Sequence, residues 1–223
     1  MVDPSDGKYV AVKMLVSDGD PFKEAQFKRE IEMLNRTDPI PNVIKVLDLI
    51  RERGQQALVL EYADGGNLHD YVTKQPNGRL SAIEAKAIAI DLAETLQQIH
   101  DLKIVHRDLK PENVLRVLGV WKIGDYGISK YLPRPYTNQT LRGAHSPGYS
   151  AAEQISGAEA APSADIFSLG KVCLFMLEGS PEEDRLRYVE SPRWKKLIQD
   201  CIGGDVTMRP SCVAEVRDRL KYV

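Results

Sequence analysis

Apolar positions alternate or run together in short stretches over the first part of the chain, then recur at helical spacing over most of the remainder. Tyr9 to Val16 reads as a strand that ends in a polar turn, Ser17 to Asp20. Asp20-Pro21 is a helix start, with Asp as N-cap and Pro at the first helical position. Phe27, Ile31 and Leu34 then form one apolar stripe, and Glu30 lies on its border, so its side chain is expected to point toward the protein body. Residues 42–49 and 56–61 read as two more strands, with Gly54 at the turn between them. Gly65-Gly66 lets the chain turn.

Ser81 and Glu84 have the spacing of a capping box. The helix they start carries Ala85, Ile88, Ala89, Leu92, Leu96 and Ile99 on one face, which marks it as core. Val120 to Ile123 has strand character. An apolar helix is expected from Asp165 to Glu178, stopped by Gly179, and two further helices at 194–202 and 211–222. Between Glu178 and Trp194 the chain is short and polar, so a reduced or single-turn element is expected.

Composition narrows the class. Lys and Arg number 30 against 32 Asp and Glu, a net charge of -2, which supplies no basic field for nucleic acid or for an anionic membrane. Cys173, Cys201 and Cys212 are odd in number and far apart, a pattern that fits a reduced, cytoplasmic protein better than a disulfide scaffold or a zinc site. The start, MVDPSDGKY, lacks the apolar segment of a signal peptide, and the most apolar run, Val172 to Leu177, is too short to span a bilayer.

The chemistry concentrates in His106 to Leu115, HRDLKPENVL. Pro111 disfavours an extended helix there, so a tight loop is expected. Such a loop can aim a carboxylate (Asp108), an ammonium (Lys110) and an amide (Asn113) at one cavity. The carboxylate can accept a proton from an attacking hydroxyl, the ammonium can neutralise phosphate, and the amide oxygen is a hard ligand that suits Mg²⁺. Downstream lies a second carboxylate, Asp125 in Asp125-Tyr126-Gly127, and two nearby carboxylates need cations between them.

HRDLKPENVL followed by DYG resembles the catalytic and metal loops of eukaryotic-type serine/threonine protein kinases, and the likeness extends from Tyr9 to about Leu220. It implies one α+β bilobal domain over 1–223: a small, β-rich lobe with one helix over 1–62 and a larger, mostly helical lobe over 63–223. It implies transfer of the ATP γ-phosphate to a protein Ser or Thr hydroxyl, with ATP and Mg²⁺ as cofactors and no nucleic acid or membrane partner. By the same likeness, Asp108 and Lys110 are catalytic and Asn113 and Asp125 hold metal. Lys13 in Val10-Ala11-Val12-Lys13 holds phosphate and pairs with Glu30, with Glu32 as the fallback partner. Ala11 covers the adenine, backbone groups of Glu61 and Ala63 read its edge, Leu60 sizes the back pocket, and Leu115 contacts the nucleotide.

The resemblance also implies supporting roles. His106 stacks under Tyr126, Asp165 anchors the catalytic-loop backbone, and Glu153 meets Arg209 as a buried partner. Ser146 bridges Asp108 and Lys110, which points to serine/threonine rather than tyrosine acceptors. Arg107 pairs with a phosphate on the loop 131–142, with Tyr136, Thr137 and Thr140 as candidates. Asn67 stands where some relatives carry an acid for a ribose hydroxyl or a basic substrate.

The chain departs from the family pattern before Tyr9, where a glycine-rich loop over the phosphates is expected and no GxGxxG occurs. Ala151-Ala152-Glu153 replaces Ala-Pro-Glu, Phe167 replaces a usual Trp, and Tyr126 replaces Phe. Three readings follow: an active kinase, a kinase-like binding scaffold that does not turn over ATP, and a truncated kinase fragment.

Overall fold

The computed structural model describes residues 9–15, 20–52, 55–127, 129–131, 146–157 and 161–223. The glycine-rich-loop region, the Gly54 turn and the loop hydroxyls Tyr136, Thr137 and Thr140 lie outside them.

Three antiparallel strands make the upper sheet, in the order β1 (Val10–Leu15), β3 (Gln55–Glu61), β2 (Val46–Glu52). Lys13 lies opposite Leu58 and Ala11 opposite Leu60. Helix α1 (Pro21–Thr37) packs beside β1 and buries Phe27, Met33 and Leu34. The same face carries Glu30, only 3% exposed. The strand expected over 42–49 begins instead at Val46, because the preceding backbone is used elsewhere. Ile44 N–H donates to the Ile123 carbonyl and Ile123 N–H to that of Asn42, which ties this segment to β6 (Val120–Ile123).

The larger part is helical: α2 (Leu68–Thr73), α3 (Ala82–Asp101), α4 (Ala152–Ile155), α5 (Pro162–Glu178), α6 (Pro192–Cys201) and α7 (Val213–Leu220). Two small hairpin-like pairs accompany it, β4 (Ile104–Val105) with β7 (Lys130–Tyr131) and β5 (Val114–Val117) with β6. The result is a kinase-like bilobal α+β fold, as expected. Ser81 caps α3 by accepting the Glu84 N–H, and the predicted apolar face of α3 is buried. Helix α5 begins a turn earlier than expected, with Pro162 at its first position, so Asp165 lies inside its first turn rather than at its start. Its stop is as read: Gly179 adopts φ 70° and donates to the Phe175 carbonyl. From Ala164 to Leu177 every residue of α5 is buried, which makes it the axle of the lower core. The reduced element between α5 and α6 is a short 3₁₀ segment, Glu183–Tyr188. No helix among the described residues is long and apolar enough to cross a membrane.

Candidate active site

The loop from His106 to Asn113 is held from below. Asp165, fully buried in α5, accepts the backbone N–H of His106 (2.8 Å) and of Arg107 (2.7 Å), and His100 Nε2 lies 2.7 Å from it. Burial alone would push this carboxyl up. The hydrogen bond from His100, the two nearby imidazoles and the Arg107 N–H outweigh burial and hold it below the usual carboxylate range. Arg107 takes φ 69°, a left-handed conformation that two anchors fix: its N–H on Asp165 and its carbonyl, which accepts from Gln154 Nε2 at 2.7 Å.

His106 is wholly buried. Its Nδ1 accepts the Asp108 N–H at 3.2 Å, which places the ring proton on Nε2, 3.1 Å from the Gly124 carbonyl. Its ring meets that of Tyr126 edge-on, with centroids 4.7 Å apart. One imidazole therefore joins the Asp108 loop to the Asp125 loop. Gly124 N–H donates to the Asn113 carbonyl and adds a second tie. Tyr126 is itself fully buried, with its hydroxyl against Thr37 at the end of α1. That hydroxyl has no well-formed hydrogen bond among the described residues, and burial pushes its phenol well up.

Above these anchors the polar groups converge. Ser146 Oγ donates to Asp108 Oδ1 at 2.6 Å and accepts from Lys110 Nζ at 2.8 Å. Asn113 Nδ2 donates to Asp108 Oδ2 (2.9 Å) and to its backbone carbonyl (2.8 Å), so the Asn113 amide oxygen is what that side chain has left to offer a ligand. Across the cleft Lys13 Nζ lies 2.7 Å from Glu30 Oε1 and 3.3 Å from Asp125 Oδ1. Burial pushes Glu30 up despite Lys13. Burial would lower Lys13, yet the two carboxylates win and raise it. Burial would likewise raise Asp125, and Lys13 with the Gly127 N–H brings it down. Two acids therefore share one lysine, a net negative cluster suited to an added cation.

Lys13, Glu30, Asp108 and Asp125 all line one cleft of about 530 Å³, so residues far apart in sequence are brought together. Glu32 is not the lysine's partner; it pairs with Arg36 on the helix surface at 3.2 Å. Ala11, Glu61, Ala63 and Leu115 lie outside this lining, as do Lys110 and Asn113, which were expected to face one cavity with Asp108 and instead reach the site through their bonds to Ser146 and Asp108. Ala11 pairs with Leu60 and Glu61 with Val10 in the sheet, and Leu115 bridges to Asn67. The Glu61 carboxylate is engaged by Lys122 (2.7 Å) and by the Lys45 N–H (2.8 Å), and its own N–H donates to the Lys45 carbonyl at 3.1 Å. Asn67 serves as the N-cap of α2, accepting the Asp70 N–H at 2.8 Å.

Glu153 and Arg209 meet as a two-pronged pair at 2.6 and 3.1 Å, and Arg209 also donates to the carbonyls of Gly203 and Ser163. Two contributors escaped the sequence reading. His100 is one; nothing local marks it, since its partner Asp165 lies in another helix. Arg29 is the other: its Nη1 donates to the Ser129 carbonyl, and its guanidinium is lowered by burial and by the nearby charge of Arg107. Burial lowers Arg107 as well.

The arrangement can do three things chemically. A carboxylate sits against a hydroxyl, a lysine against the same hydroxyl, and a second lysine against an acid pair that a divalent cation could join. A family model described as "Protein kinase domain" matches residues 1–184. Aurora/IPL1-related protein kinase 2 of Caenorhabditis elegans is 34% identical over 220 residues, covering 91% of this chain and 69% of that protein. The probable serine/threonine-protein kinase PknB of Lactococcus lactis is 33% identical over 175 residues, 77% of this chain and 27% of that protein. The serine/threonine-protein kinase VIK of Arabidopsis thaliana is 29% identical over 245 residues, 97% of this chain and 55% of that protein. The chain thus spans from about a quarter to about two thirds of these relatives' lengths. With the family match running across most of its length, the chain belongs to the protein kinase family.

Proposed function

We propose that this chain transfers the γ-phosphate of ATP to a serine or threonine hydroxyl of a protein. The observation that carries the reading is the Ser146 hydroxyl held between Asp108 and Lys110, because an acceptor hydroxyl needs the same two neighbours. Asp108 orients the acceptor and takes its proton as the oxygen attacks the γ-phosphorus; the bond to the β–γ bridging oxygen breaks and ADP leaves. Lys110 offsets charge on the transferring group, and Lys13, positioned by Glu30, holds the phosphates. Mg²⁺ supplies charge neutralisation at the phosphate oxygens, and the hard donors that suit it are the Asp125 carboxylate and the Asn113 amide oxygen. Positioning and fixed charge account for the rate in this scheme. The backbone of Glu61 and Ala63, with Ala11 and Leu115, is assigned to the adenine. Arg107, with Arg29 beside it, is assigned to a phosphate on the 131–142 loop. Two of the relatives, PknB and VIK, are named as serine/threonine-protein kinases, which supports the acceptor class.

The nucleotide half is tested by thermal melting of the parent and Asp125→Asn with and without MgATP. Ligand at about 100 times Kd stabilises by about 2.7 kcal/mol, a rise of roughly 5–10 °C for a chain of this size. The rise is expected in the parent and not in Asp125→Asn. An equal rise in both removes Asp125 from the metal site. A rise without transfer to any protein turns the reading into a nucleotide-binding scaffold. Phosphoamino-acid analysis of a labelled acceptor reads the other half, and phosphotyrosine alone would refute the acceptor class.

A further inference from the structure

Helix α5 carries a lysine where the surroundings are apolar. Lys171 is 5% exposed, between buried residues on both sides. Its ammonium donates to the Pro181 carbonyl at 2.8 Å and lies 5.6 Å from the centre of the Phe167 ring. Its acidic neighbour, Glu183 at 3.4 Å, has a side chain 64% exposed, so solvent screens that pair and the carbonyl is the main fixed partner. An ammonium in such a place carries a desolvation penalty that an apolar side chain of the same length would not.

Pro181 is packed against the loop that carries Ser146. A Cβ added to Gly148, which holds φ +81°, would stand 3.3 Å from Pro181 Cγ. That loop is a tight turn in which the Tyr149 and Ser150 N–H groups both donate to the Ser146 carbonyl. One helical turn before Lys171, Ser168 Oγ donates to the Tyr149 carbonyl at 2.9 Å. Residues three apart share a helix face. Helix α5 therefore grips the 146–150 turn twice, directly through Ser168 and through Pro181 by way of Lys171.

We propose that Lys171 is a positioning residue for the acceptor side of the cleft: by fixing the Pro181 carbonyl it sets the wall against which the Ser146 turn, and so the acceptor chain, is seated. This rests on the phosphotransfer reading above, but its structural half can be measured without activity. Amide exchange by NMR is compared in the parent, Lys171→Met, Lys171→Arg and Ser168→Ala. Lys171→Met keeps length and burial and removes the donor. It is expected to speed exchange at Tyr149 and Ser150 about tenfold while α3 amides stay unchanged. Lys171→Arg retains a donor and is expected to stay within about twofold of the parent. Ser168→Ala, which cuts the direct grip, serves as the positive control. In steady-state transfer to myelin basic protein, Lys171→Met should raise the acceptor KM about three- to tenfold and leave the KM for ATP unchanged.

Unchanged exchange at Tyr149 and Ser150 in Lys171→Met overturns the proposal. So does a uniform rise across α3 and the turn alike, which marks simple destabilisation, or Lys171→Arg behaving as Lys171→Met. If the parent itself transfers no phosphate, the phosphotransfer reading fails while the exchange result still decides the role of Lys171.

Discussion

Asp165→Asn is the substitution that probes the scaffold most sharply. The carboxylate receives three short hydrogen bonds, from the His106 and Arg107 backbone N–H groups and from His100, at 2.8, 2.7 and 2.7 Å. An amide keeps an acceptor on one side only. With its oxygen toward His106 and His100, its NH₂ faces the Arg107 N–H, donor against donor. One charge-assisted bond worth about 1.5–3 kcal/mol is lost and two fall to neutral strength, about 1 kcal/mol less each. Removing a buried charge returns part of this as relieved desolvation. The net loss is about 2–4 kcal/mol, a large share of the roughly 5–15 kcal/mol that holds a domain together. Urea unfolding should show a lower midpoint with an unchanged slope, and the melting temperature should fall by roughly 5–15 °C. Because the folded carboxyl is depressed, its contribution is fully present above the unfolded value of about 4 and is lost as pH falls through the folded value. The gap between parent and variant should therefore be constant near neutrality and close below about pH 4. A loss under about 1 kcal/mol, or a gap that ignores acid, would refute the reasoning.

Two further outcomes follow from the same accounting of buried polar groups. Tyr126→Phe removes a buried hydroxyl that has no well-formed partner among the described residues, so it should raise stability by up to about 1 kcal/mol in urea unfolding; a loss of similar size would mean the Thr37 contact is a true bond. Among the described residues, Glu153→Ala leaves the guanidinium of Arg209, whose side chain is 1% exposed, with the Gly203 and Ser163 carbonyls and the Phe167 ring. It should cost about 2–3 kcal/mol, less than a fully buried pair because Glu153 is partly exposed, and the double variant Glu153→Ala/Arg209→Met should recover part of that loss.

Much of this architecture was legible in the chain because local chemistry and tertiary role coincide. Pro21 and Gly179 punctuate helices by their own backbone preferences and Ser81 by its side chain, while the Glu84 carboxylate, read as the other half of a capping box, accepts the Tyr71 hydroxyl instead. The grouping of Asp108, Lys110 and Asn113 follows from their loop, the Ser146 bridge from the family resemblance, and the Lys13–Glu30 contact from both the apolar stripe and that resemblance. What stayed hidden depends on distant partners. His100 looks like one more helix-end histidine until Asp165 arrives from α5. Residues 42–44 have strand composition, yet the backbone bonds of Asn42 and Ile44 go to Ile123 rather than to β3. Lys171 breaks an apolar run, and only the fold reveals the carbonyl that it meets.

The most direct measurement is the rate of γ-phosphate transfer from MgATP to myelin basic protein by the parent and by Asp108→Ala. The expected result is turnover lower by about 10²–10⁴-fold in Asp108→Ala, with nearly unchanged stabilisation by MgATP, because the carboxylate acts on the acceptor hydroxyl and not on the nucleotide. Equal turnover in the two proteins would contradict the assignment of Asp108 and, with it, the phosphotransfer site.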